Sequence, residues 1–135
     1  MKRKFSVFAF LLISLFLLDA GNIQSSELQK GKYSNISAEK LHKMMENKNF
    51  TLVNVHDTYV GEIAKTDLFI PYTEITEHPD KLPKNKKIVV YCRSDHQSTM
   101  AAKKLADAGY SRIYNLDGGM IDWEKAGYEV IDKKR

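Results

Sequence analysis

The chain has 135 residues, of which 43% are hydrophobic and 28% charged, with a formal net charge of +4. That length supports one domain around one core. The single cysteine excludes an intramolecular disulfide and a paired CxxC motif, and no basic stripe with interleaved aromatics points to nucleic acid.

Met1-Lys2-Arg3-Lys4 is a basic start, and Phe5 to Leu18 is an apolar run broken only by Ser6 and Ser14. A run of this length fits the apolar region of a signal peptide and is short for a membrane span. The expectation is an exported protein, periplasmic or extracellular, with residues 1–20 removed after Ala20. The alternative is an uncleaved N-terminal anchor, in which case residues 5–18 are the membrane contact. Without residues 1–20 the chain keeps 18 basic and 16 acidic residues, so much of the basicity belongs to the targeting segment. Lys84, Lys86 and Lys87, and the tail Lys133-Lys134-Arg135, read as solvated surface.

Residues 21–34 are polar and read as a linker, with a domain expected over 35–132. Ser37 is a good N-cap for a helix whose Leu41, Met44 and Met45 share one face. Phe50 to Val55 predicts a buried strand. Leu68-Phe69-Ile70 predicts a short strand ended by Pro71. Ile75 to Leu82 reads as a polar turn or short helix broken by Pro79 and Pro83. Lys87 to Tyr91 is a β-branched run and predicts the central strand. Ser98 to Ala108 predicts a helix, with Ser98 as candidate cap and Gly109 as its stop. Arg112 to Leu116 is another strand, Asp117-Gly118-Gly119 a turn, and Met120 to Lys125 a short helix stopped by Gly127. Short strands alternating with helices imply an α/β fold with a small, mainly parallel sheet covered on both faces.

Cys92 follows the central strand and precedes the helix, at the carboxyl end of the sheet where ligands of such sheets bind. A thiol before a helix N-terminus is favoured as the thiolate, which is the nucleophile. His42, His56, His78 and His96 show no zinc-ligand spacing with it, so no metal is expected. Trp123, Tyr91, Tyr110 and Tyr114 read as packing.

Five stretches in order resemble the single-domain rhodanese-like family. They are Ile36-Ser37-Ala38-Glu39 with its helix, Phe50 to Asp57, Ile88 to Ser94, Ala101 to Tyr110, and Tyr114 to Met120 with Trp123 and Gly127. The resemblance implies the three-layer rhodanese fold and sulfurtransferase chemistry without a cofactor. Cys92 would take sulfane sulfur from a small donor, thiosulfate or a persulfide, and pass it to a thiol or other nucleophile. The loop Arg93, Ser94, Asp95, His96, Gln97 and Ser98 would cradle the sulfur with backbone N–H groups, an anion nest.

The loop departs from the family pattern. Asp95 stands where glycine is common, which implies strain if that position takes positive φ, and negative charge beside a thiolate. Gln97 stands where arginine is common, so a charged grip on an anionic donor is missing. That difference is worth about tenfold in donor capture, taking charge-assisted bonds at ~1.5–3 kcal/mol against ~1 for neutral ones. Asn54 and His56, as supporting residues, stand where a charged Asp and Arg pair usually locks the loops. Thr66-Asp67 fit a turn with a side-chain-to-backbone hydrogen bond. A binding or redox-sensing module with weakened catalysis is therefore the alternative function. A phosphatase is disfavoured, because the loop closes on Gln97 and Ser98 without an arginine.

Overall fold

The computed structural model describes residues 32–133; the proposed signal segment and the linker up to residue 31 lie outside them. Five short strands form a fully parallel sheet in the order β1-β6-β5-β2-β4. They are β1 (Ser34–Ile36), β2 (Thr51–Asn54), β4 (Leu68–Phe69), β5 (Ile88–Tyr91) and β6 (Ile113–Leu116). A separate antiparallel pair joins β3 (Glu62–Ile63) to β7 (Val130–Ile131). The helices are α1 (Ala38–Met44), α2 (His96–Asp107) and α3 (Gly119–Lys125).

The layers follow from the period-2 alternation of buried strands. Ile88, Val90 and Cys92 pack with Val53, Val55, Ala101, Ala102 and Leu105 under α2. Val89 and Tyr91 face the other way, with Leu52, Leu41, Met120 and Trp123 under α1 and α3. Ala101, Ala102, Leu105 and Ala106 form the buried stripe of α2, and their small side chains let the helix lie close to the sheet. Helices thus cover both faces, as the alternating pattern implies.

Ser37 caps α1 as its sequence predicts, its hydroxyl oxygen accepting from the Lys40 N–H at 3.1 Å. The segment after Pro71 is a chain of turns anchored by buried Ile75 and Leu82. Strands β1, β3 and β7 have no counterpart among the sequence-based elements. Each has two or three residues and is held by a partner distant in the chain, so no local pattern marks it. β1 pairs Ser34 with Tyr114 and opens one residue before the expected domain boundary.

The Thr66-Asp67 turn is structural. The Thr66 hydroxyl donates to the Ile63 carbonyl at 2.6 Å, and the buried Tyr91 hydroxyl lies 2.8 Å from Thr66 Oγ1 and accepts from the Ile63 N–H at 3.0 Å. The Asp67 carboxylate accepts from the Leu52 N–H at 2.8 Å and pairs with Lys48.

Candidate active site

Cys92 directly follows β5, the middle strand, and is 1% exposed. Its Sγ accepts from the Ser98 N–H at 3.4 Å, and its S–H donates to Ser98 Oγ at 3.4 Å. The Ser98 hydroxyl in turn donates to the Asp95 carbonyl at 3.1 Å. Loss of the thiol proton leaves the sulfur an acceptor only. The Ser98 N–H then stays in place, and the hydroxyl has a stronger acceptor to turn toward.

Ser98 is not the helix cap. Helix α2 starts at His96 with Asp95 in the capping position, which buries Ser98 one turn further in, against the sulfur. Asp95 has φ −169°, extended backbone that any residue adopts, so the strain expected of a positive φ does not arise. Its carboxylate makes no capping bond; Oδ1 accepts from Asn115 Nδ2 at 3.0 Å instead. The buried Asn115, near the end of β6, also donates to Asn35 Oδ1 at 3.0 Å. Asp95 therefore ties the loop to the two strands on that side.

The other side of the loop is fixed by α3. The Met120 N–H donates to the Cys92 carbonyl and the Ile121 N–H to the Arg93 carbonyl, both at 3.0 Å. All peptides among the described residues are trans, so with these carbonyls aimed at α3 the Arg93 and Ser94 N–H groups point away from it. Both residues are exposed, and the loop thus presents donors on its open side, as an anion nest requires. Gly119 makes this approach possible. At φ +57° a Cβ there would lie 2.5 Å from the Cys92 carbonyl oxygen and 2.7 Å from those of Arg93 and Ser94. Sequence alone marked Gly118-Gly119 only as a turn, since its link to the loop exists only through space.

The facing loop runs from Asn54 to Gly61. Buried Asn54 donates from Nδ2 to the Gly61 carbonyl at 3.0 Å and accepts at Oδ1 from the His56 N–H at 3.1 Å. One amide therefore closes both ends of the loop, the locking task expected of a charged pair. His56 Nδ1 lies 2.6 Å from the Thr58 carbonyl and 3.3 Å from the Thr58 N–H. Nδ1 is also 3.2 Å from the Asp57 carboxylate. The Asp57 carboxyl is held below its ordinary value, first by the Thr58 hydroxyl, against a desolvation penalty, and then by Gln97, the Thr58 N–H and His56.

Gln97 bridges the two loops. Its Oε1 accepts from the Asp57 N–H at 3.0 Å. An arginine has no acceptor and cannot make this bond, so glutamine here has a structural role that the expectation of a missing cation did not contain. Arg93 and His96 are exposed; Arg93 lines a depression of about 200 Å³ with Val60, Met120, Ile121, Glu124 and Val130.

The loop residues Arg93 to Ser98, with Asn54 and His56, thus gather at one sheet end around Cys92. Sequence reasoning missed Asp57, Asn115 and Gly119, which act by holding the loops.

The Rhodanese-like domain family profile matches residues 37–126. A protein named Sulfurtransferase from Allochromatium vinosum is 31% identical over 101 residues, 71% of this chain and 92% of its own. Thiosulfate sulfurtransferase GlpE of Coxiella burnetii is 26% identical over 105 residues, 76% of this chain and 97% of its own. The crystal structure of a rhodanese-related protein from Thermoplasma volcanium superposes with a TM-score of 0.64 at 28% identity, covering 73% of this chain and 98% of that one. The rhodanese-like domain of Anabaena gives 0.67 at 25% identity, over 73% and 79%.

Proposed function

The chain belongs to the rhodanese-like domain family, and from that premise we propose that Cys92 is a sulfur-carrying nucleophile in an exported sulfurtransferase. The single observation that carries this reading is the Cys92 sulfur at a strand end, 3.4 Å from the Ser98 N–H and hydroxyl, within a loop whose carbonyls are turned to α3.

The chemistry balances without a cofactor. The thiolate attacks the outer sulfur of thiosulfate. A Cys92 S–S bond forms, and the donor's S–S bond breaks with its electron pair leaving on sulfite. The terminal persulfide sulfur carries the negative charge and meets the loop N–H groups. An acceptor thiolate or cyanide then attacks that sulfur, and Cys92 leaves as thiolate. The Ser98 N–H and hydroxyl, each 3.4 Å from Cys92 Sγ, donate to that sulfur when it is the thiolate. The buried sulfur, 1% exposed, requires the donor to enter end-on or the facing loop to open.

Export rests on the basic residues 2–4 and the apolar run 5–18. Cell fractionation with N-terminal sequencing of the recovered protein tests it, and recovery of the intact chain from the cytosol would end the export reading.

Thiosulfate or a low-molecular-weight persulfide is incubated with the chain and the intact mass is measured. A gain of one sulfur atom in the native chain and none in Cys92→Ser is the expected result. A chain that never gains sulfur from any such donor overturns the proposal. The alternative module reading is favoured by Gln97, whose Oε1 is committed to the Asp57 N–H and which brings no cation to the loop's end. It would be supported by full biological activity of Cys92→Ser.

A further inference from the structure

The amino ends of four adjacent parallel strands each carry a cation. Lys32 precedes β1, Arg112 precedes β6, Lys86 and Lys87 precede β5, and Lys48 precedes β2. These residues line two neighbouring depressions that share Arg112. One, of about 380 Å³, holds Lys48, Lys86, Lys87 and Arg112; the other, of about 320 Å³, holds Lys32, Tyr33, Ser34 and Arg112. Lys48 is tied to Asp67 and to the Phe50 carbonyl, and Lys87 lies over the Tyr114 ring at 5.9 Å. Lys32, Lys86 and Arg112 are exposed.

This concentration is not a property of overall charge. Residues 32–133 hold fifteen basic and fifteen acidic side chains, a net of zero. The opposite end of the sheet, around Cys92, carries Asp57, Asp95, Asp117 and Asp122. The cations are thus gathered at the amino ends, where Asp67 before β4 offsets Lys48, while the carboxyl end holds these four carboxylates beside the exposed Arg93.

We propose that the basic amino end of the sheet docks on an anionic lipid surface, leaving Cys92 at the far end open to soluble partners. Two observations select lipid over another polyanion. The chain enters the domain at this same end, through Lys32, Tyr33 and Ser34. The apolar run ends at Leu18, fourteen residues earlier, and at ~3.5 Å per residue that tether reaches no further than about 50 Å. The cations also sit across three strand spacings of ~4.8 Å, a row of roughly 14 Å that suits a flat array of headgroups. The proposal takes the alternative in which residues 1–20 are retained as a membrane anchor, and it does not depend on sulfur transfer.

The full chain is incorporated into vesicles of phosphatidylcholine alone and into vesicles that also contain phosphatidylglycerol, and amide hydrogen exchange is followed. Exchange at residues 48–51, 85–88 and 111–114 is expected to slow several-fold only with phosphatidylglycerol. High salt and the double variant Lys86→Glu, Lys87→Glu are each expected to remove the slowing. Alkylation of Cys92 stays equal in the two vesicle types. Equal exchange in both vesicle types overturns the proposal, while incorporation through residues 5–18 would leave the anchor reading standing. Slowing by a soluble polyanion such as heparin but not by phosphatidylglycerol overturns it in favour of a soluble partner. A chain recovered from cells without residues 1–20 has lost the tether and overturns the proposal.

Discussion

Replacement of Gly119 by alanine tests whether α3 bolts the Cys92 loop in place. A Cβ at this position meets three backbone carbonyl oxygens, at 2.5 Å from that of Cys92 and 2.7 Å from those of Arg93 and Ser94. None of these is the end of a flexible side chain, so relief requires the loop or the helix to move. The left-handed backbone alone costs an alanine about 1–2 kcal/mol, and overpacking adds roughly 1–3. The expected loss is about 2–5 kcal/mol, a large share of the ~5–15 kcal/mol that stabilises a typical domain. Two neighbours provide the controls. Gly127 has φ +92° and no atom within 4 Å of its Cβ site, so Gly127→Ala is expected to show the backbone cost alone. At Gly118 the Cβ meets the Asp122 side chain, including its Cβ at 2.6 Å, which rotation cannot move, so Gly118→Ala is also expected to lose more than the backbone cost alone. Urea unfolding of the three variants at constant m-value gives the order. Intact-mass sulfur loading of whatever Gly119→Ala remains folded reads the effect on the loop. Equal losses for Gly119→Ala and Gly127→Ala, with sulfur loading unchanged, would refute the argument that α3 shapes the site.

Gln97→Arg is expected to raise thiosulfate capture by up to about tenfold through a charge-assisted contact, and to loosen residues 56–60 because the Asp57 N–H loses its acceptor. KM for thiosulfate and hydrogen exchange of that loop are the two measurements, and a loop as protected as in the native chain would contradict the bridging role. Tyr91→Phe leaves the Ile63 N–H and Thr66 without their hydroxyl partner and should cost about 1–3 kcal/mol in denaturant unfolding. Burial raises the Tyr91 hydroxyl well above its ordinary value of 10.0. A raised folded value means that the stability tied to the neutral phenol is complete below the ordinary value and is lost as pH climbs from there through the folded one. Native protein should therefore weaken above about pH 10 more steeply than Tyr91→Phe, and parallel alkaline unfolding curves would count against it. Asp57 is lowered, first by the Thr58 hydroxyl, so its contribution is present above the ordinary carboxylate value and disappears as pH falls below it. Carboxyl chemical shifts should show Asp57 titrating at higher pH in Thr58→Val than in the native chain, and an unmoved titration would break the assignment.

The sequence by itself determined the layers and the place of Cys92 in them. Near-continuous apolar runs at Leu52 to Val55 and Ile88 to Cys92 imply strands buried on both faces, as they are. The alanine face of α2 fixes a close helix–sheet contact, and the strand–loop–helix order puts Cys92 at the sheet's carboxyl end. These are local patterns, set by the geometry of a strand or a helix. The helix start was misplaced by two residues because Ser98 is a good cap in isolation. Only the fold shows that its hydroxyl is engaged with the sulfur and with the Asp95 carbonyl. What each departure in the loop does was likewise decided by tertiary structure. Asp95 is turned to Asn115 twenty residues on, and Gln97 accepts from Asp57 forty residues back. Gly119 is required by carbonyls at Cys92 to Ser94. The row of cations at the strand starts becomes a surface only when β1, β6, β5 and β2 stand side by side. Each of these depends on pairing between residues far apart in the chain, which no local spacing encodes.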